Sequence, residues 1–169
     1  FVLGSIFGFV MGGAAGLIQA NVGLNLIFHN TQWVVSLHAH TFLLTGLGTL
    51  IFAVIYALVP MLTKLEIRNQ KLVNFHFWAW MIGSVTMTYF MGRAGALGML
   101  RRTLYPVPNP YQPYMTIAII GSIIMALGFL AFLVNIISTL GLKAVLSLVI
   151  PERSAPAANA GAPAAVAES

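Results

Sequence analysis

The side chains with the reach for redox or ligand chemistry are few, and they cluster. His38 and His40 stand two residues apart at the start of a long apolar run. His29 lies just upstream, and Arg101 and Arg102 close a later run. Neutral imidazole is a good ligand for iron or copper. A histidine inside an apolar span is costly unless it has a partner. On an α-helix, residues two apart point about 200° from each other. His38 and His40 therefore cannot grip one metal, but each can reach its own on opposite sides of one helix. Arginine meets carboxylates with two parallel bonds. Histidines in a membrane, with arginines at the same depth, are what a haem standing edge-on requires: a nitrogen for its iron and cations for its propionates.

Composition sets the surroundings of these groups. The chain is 59% hydrophobic and 7% charged, against about a quarter charged in soluble domains. It has no cysteine, so disulfides, zinc–thiolate sites and iron–sulfur clusters are ruled out. The net charge of +5 comes from scattered groups, with no basic stripe interleaved with aromatics, and does not mark a nucleic-acid binder. The sequence opens at Phe1 in apolar residues without the basic start and cleavage site of a signal peptide. It reads as a processed piece, a separately encoded half or a chain lacking its start.

A bilayer core takes about 20 apolar residues per helix. Four stretches fit, at about residues 1–28, 34–62 (ending near Pro60), 72–100 and 114–140, the last with a continuation towards residue 150. Period-2 alternation, the mark of a barrel, is missing. The expected fold is thus all-α, a polytopic bundle of four transmembrane helices over residues 1–150. An Ala/Pro-rich tail at 151–169 cannot form a core. Gly4, Gly8, Gly12 and Gly16 make one smooth face on the first helix. Close helix packing is the commoner use of such a face, and contact with a flat ligand is the other. Lys64, Arg68 and Lys71 between the second and third helices, and Lys143 and Arg153 after the fourth, put those ends in the cytoplasm. The loops holding His29 and Arg101–Arg102, the latter leading into a proline-rich run at 106–113, then face outward.

The remaining polar groups divide. His76 is expected at the cytoplasmic interface beside Trp78 and Trp80, in an aromatic belt. For His29 and His76 taken singly, a hydrogen bond to a neighbouring helix is a commoner role than ligation. Arg93, in apolar sequence between Gly92 and Ala94, either snorkels outward or pairs with an anion. The acids are Glu66, Glu152 and Glu168, all in loops or tail, so the spans hold no carboxylate for proton transfer.

The run His29-Asn30-Thr31-Gln32-Trp33-Val34-Val35-Ser36-Leu37-His38-Ala39-His40 resembles a segment of haem–copper oxidase subunit I, where a His-Asp/Asn-Thr loop leads to a His-x-His motif. Gly46 and Pro60 follow at the family spacing, Gly98-Met99-Leu100-Arg101-Arg102 resembles a Gly-Met-Pro-Arg-Arg helix end, and Ala20-Asn21 fits before the outer loop. The resemblance covers about residues 1–140 and aligns the four helices with the ninth to twelfth of a twelve-helix core. It implies His38 as the proximal ligand of a high-spin haem at the oxygen-reducing centre and His40 as an axial ligand of a low-spin haem. Arg101 and Arg102 would bind propionates, and His29 would lie near them, where some members hold magnesium. There are departures. The interval from His29 to His38 is one residue longer than the family pattern, with Leu37 as the insert; Asn30 stands for a common aspartate; Ala39 stands for a common phenylalanine between the ligands.

The copper-ligating histidines, the cross-linked tyrosine and the second low-spin haem ligand belong to earlier helices of the family. The resemblance therefore implies a respiratory terminal oxidase that reduces O2 to water with electrons from a quinol or small redox protein, coupled to proton translocation. A partner chain would carry the first eight helices and the copper site, beside other oxidase subunits. An integral, multi-pass place in a prokaryotic plasma membrane goes with this. Two other readings stand: a nitric oxide reductase of the same superfamily, and a non-catalytic helical membrane subunit with structural histidines.

Overall fold

The computed structural model describes residues 1–149, and all its regular elements are helical. They are α1 (Val2–Ala20), α2 (Val22–Phe28), a π-helical segment (Val34–Gly48) running directly into α3 (Thr49–Thr63), α4 (Gln70–Ala96), α5 (Gln112–Leu140) and α6 (Leu142–Val149). The Ala/Pro tail expected from residue 151 lies outside the described residues. Three spans are long and apolar enough to cross a bilayer: Val2–Ala20, Val34–Thr63 and Gln112–Leu140. The third expected span, at 72–100, is α4, a 27-residue helix about 40 Å long at 1.5 Å per residue. It is the more polar member, and its polar side chains His76, Ser84 and Thr88 are turned into the bundle and buried.

The first expected helix is two. Asn21 adopts an extended conformation and its side-chain oxygen accepts from the Leu24 amide at 3.1 Å, which caps α2 and ends α1. The second runs to Thr63, past Pro60, and stops where Lys64 takes a left-handed conformation (φ 60°). In the fourth, Pro113 sits in the first turn, where its missing N–H costs nothing. Gly141 (φ 85°) breaks the chain between α5 and α6.

The helices pack in a row, α1 on the π segment, the π segment on α4, and α4 on α5. Small residues set these spacings. A Cβ on Gly83 would stand 2.6 Å from the Gly121 carbonyl oxygen, and one on Gly121 would stand 2.8 Å from the Met87 nitrogen, so α4 and α5 touch backbone to backbone. On α1 the glycine stripe does the same: a Cβ on Gly12 would lie 2.7 Å from the Phe42 nitrogen, and one on Gly8 would overlap the backbone of Thr45 and Gly46. The packing use of this stripe is the one the fold makes.

The helix ends are tied separately. At the end carrying Lys64 and Lys71, Asn135, fully buried in α5, donates to the Asn69 carbonyl at 3.0 Å and accepts from the Asn69 amide at 3.2 Å. The same Asn69 caps α4 with its side chain. At the opposite end, the Gln32 amide donates to the Met99 carbonyl and the Arg101 amide to the Asn30 carbonyl, both at 2.9 Å.

Candidate functional site

His38 and His40 lie in the first half of the π segment, both half-buried. A π turn closes by i→i+5 bonds and so takes between four and five residues, which puts residues two apart about 160° around the helix. The opposition expected of an α-helix therefore survives the change of helix type. The side-chain bond from Thr41 Oγ1 to the Ser36 carbonyl, five residues back at 3.0 Å, follows the same widened register.

His38 turns toward α1. Its Nδ1 lies 2.8 Å from the Gly12 carbonyl oxygen. A carbonyl only accepts, so Nδ1 carries the proton and Nε2 keeps its lone pair for an electrophile. A bond of this kind on the far ring nitrogen orients a metal-ligating histidine. Gly16 completes the cradle: a Cβ there would stand 2.7 Å from His38 Cε1 and 2.9 Å from Nδ1. The glycine stripe was legible in sequence, but its use as an acceptor and floor for His38 was not. His40, on the other side of the segment, has a buried Nδ1 without a hydrogen-bond partner among the described residues. Among the described residues, no three of His, Cys, Asp and Glu group closely enough to hold an ion between them. His38 and His40 thus belong to no three-donor ion site among the described residues.

The arginines meet the histidine loop as expected. Thr31 and Leu100 form an antiparallel bridge flanked by the two backbone bonds above. This brings His29, Asn30, Arg101 and Arg102 to one end. His29 and Arg102 are exposed there, and Arg101 is half-buried. Gly98 (φ 99°) ends α4 and Arg102 (φ 58°) turns the chain back, so the pair sits on a tight turn rather than on a helix. A Cβ on Gly95 would overlap the Trp33 backbone, which seats this turn directly on the start of the π segment.

His76 departs from expectation. It is fully buried rather than interfacial, while Trp78 beside it is 61% exposed. The helical phase explains this: His76 and Trp80, four apart, share the inward face of α4, and Trp78 faces out. His76 sits among Phe1, Phe52, Tyr56 and Phe132, with Nδ1 3.2 Å from the Tyr56 hydroxyl and Nε2 unpartnered among the described residues. It lies at the opposite end of the bundle from the arginines, with no part in that cluster. Arg93 is exposed in the last turn of α4.

Residues 1–124 match the family model described as cytochrome c and quinol oxidase polypeptide I. The chain belongs to this family. Among the oxidase polypeptides it resembles, cytochrome c oxidase subunit 1 of Yarrowia lipolytica is 36% identical over 134 residues, covering 79% of this chain and 24% of that protein. Cytochrome c oxidase subunit 1 of Thermus thermophilus is 31% identical over 150 residues, covering 82% of this chain and 25% of that one. A solved heme-copper terminal oxidase dimer superposes with a TM-score of 0.73 at 26% identity, over 81% of this chain and 25% of its own. The chain thus spans about a quarter of the oxidase polypeptides it matches, and the helical membrane bundle is the family's.

Proposed function

We propose that this chain is the haem-ligating quarter of an oxygen-reducing terminal oxidase. His38 Nε2 would ligate the high-spin haem and His40 the low-spin haem. The observation that carries this reading is the hydrogen bond from His38 Nδ1 to the Gly12 carbonyl at 2.8 Å, which fixes the tautomer that leaves Nε2 free. The residues fit the group. Gly16 leaves the space that the His38 ring occupies, and the buried Nδ1 of His40 has no partner among the described residues. Haem supplies the one-electron and oxygen chemistry when bound.

This chain's own contribution is positional. The carbonyl at Gly12 makes the His38 ring more basic and holds its plane. The opposed directions of His38 and His40 set two ligand sites one helix apart, on a single rigid element. Arg101 and Arg102 stand at the end where propionates would lie, with His29 at the same end. The copper site, the second low-spin ligand and the remaining helices would come from the rest of the oxidase core. Electrons would come from a quinol or small redox protein, with proton translocation coupled to O2 reduction and a prokaryotic plasma membrane as the setting.

Reduced-minus-oxidised spectra of the assembled oxidase test the reading. His38→Ala should remove the high-spin signal and its carbon monoxide shift, and His40→Ala the low-spin band. Unchanged spectra in both variants would refute the assignment and leave a structural subunit. Oxygen uptake by the wild-type complex, with nitric oxide uptake as the alternative outcome, identifies the substrate.

A further inference from the structure

One groove is lined by neither of the paired histidines. It lies between α1 and α4 over the π segment, with a volume of about 210 Å³, and its floor is Trp33, Leu37 and Thr41. These three recur every four residues, close to one π turn, and so share a face of the segment. Ala39, between the two histidines, lies on the opposite face. The groove therefore occupies a different face of the segment from Ala39, and neither His38 nor His40 lines it.

The α4 wall of the groove continues into an exposed stripe: Lys71, Phe75, Trp78, Ile82, Tyr89 and Arg93, at spacings of three, four or seven. The cations at its two ends are 22 residues apart, about 33 Å along a helix, close to the roughly 30 Å of a hydrocarbon core. A face with this length, bounded by cations and carrying Trp and Tyr, suits contact with lipid. Along α1, the groove wall runs from Phe7 to Ile18, about 16 Å, or half of that core. Tyr89 forms its edge, and Arg93 stands one turn further out.

We propose that this groove holds an acyl chain of an outer-leaflet phospholipid, with the Arg93 guanidinium on its phosphodiester. The groove accepts the chain by apolar contact, and the arginine fixes the headgroup by charge-assisted bonds. This assigns the cation that sequence alone leaves between snorkelling and anion pairing. The proposal is independent of which haem each histidine ligates.

The complete oxidase complex, purified in mild detergent, provides the test by native mass spectrometry and phosphate assay of extracted lipid. Wild type should retain a phospholipid through detergent washing. Arg93→Gln should weaken retention about tenfold or more, the loss expected for a hydrogen bond to a charged group, and Arg93→Lys should restore most of it. Ala14→Phe, on the exposed groove wall, should expel the lipid while the haem bands stay unchanged. Wild-type retention in both Arg93→Gln and Ala14→Phe would overturn the proposal. So would loss of lipid only together with the haem bands or with the partner helices, which would make this face a protein interface.

Discussion

Gly16→Ala is the sharpest probe of the His38 cradle. The added methyl would lie 2.7 Å from His38 Cε1 and 2.9 Å from Nδ1, about 1 Å inside the usual 3.5–4.0 Å contact distance. The ring can escape only by breaking its 2.8 Å bond to Gly12, or by forcing α1 off the π segment. A net hydrogen bond is worth about 1 kcal/mol, and overpacking one methyl costs about 1–3 kcal/mol. Together these give about 2–4 kcal/mol against the ligating pose, or about 30- to 700-fold in its population. The assay is carbon monoxide difference spectroscopy of the assembled oxidase, which reads the high-spin haem without the low-spin one. Gly16→Ala should deplete the high-spin signal and spare the low-spin band. Gly13→Ala is the control, because nothing lies within 4 Å of a Cβ there; it should keep both signals and gain slightly in helix propensity. A normal high-spin signal in Gly16→Ala, or equal losses in both variants, would refute the cradle.

Three further outcomes follow from the packing. Asn135→Leu strips both partners from the Asn69 backbone and should destabilise the complex by about 2–4 kcal/mol from two unsatisfied polar groups, seen as earlier unfolding in detergent titration with unchanged haem bands. Gly92→Ala would press its methyl within 2.8 Å of Leu37 Cδ1 and should lower the unfolding temperature; Leu37→Ala in the same chain should relieve part of that loss, and a double-mutant cycle with no coupling would contradict the contact. Replacing Arg101 and Arg102 together by Gln should weaken haem retention more in low salt than in high salt, because salt already screens the arginine–propionate attraction of the wild type; retention equal to wild type at both would remove the arginines from the site.

The fold was legible where physics is periodic. Long apolar runs dictate spanning helices whatever their neighbours. The breaks were legible only in part, because each depends on one local hydrogen bond or one backbone angle. Asn21 reads as an ordinary polar residue until its side chain caps Leu24, and Lys64 gives no hint of its left-handed backbone. The histidine pair stands out by type and spacing, whereas the Gly12 carbonyl that holds His38 has no side chain to announce it. His76 was misplaced because proximity to two tryptophans along the chain says nothing of helical phase. Counted in steps of four it faces with Trp80 into the aromatic core, and the neighbours that enclose it (Phe52, Tyr56 and Phe132) come from α3 and α5.

The resemblance counts one residue more between His29 and His38 than the family pattern, and the π segment at Val34–Gly48 offers such a residue a place. Inserting a residue into an α-helix turns everything beyond it by about 100°. That rotation would carry His38 off the Gly12 carbonyl and His40 off its own face, unless the His29 loop unseated itself from Met99 and Arg101. A turn closed by i→i+5 bonds absorbs the residue instead, and such turns gather at functional sites. Here the π register begins at Val34, directly after the loop is pinned, and extends through both histidines to Gly48. The surplus side chain also has a place to go: Leu37 packs where Gly92 lacks a Cβ. The loop, the insertion, the widened helix and the glycine opposite thus hold one another in register. The same helix can then present two imidazoles in opposed directions although its sequence spacing departs from the family pattern.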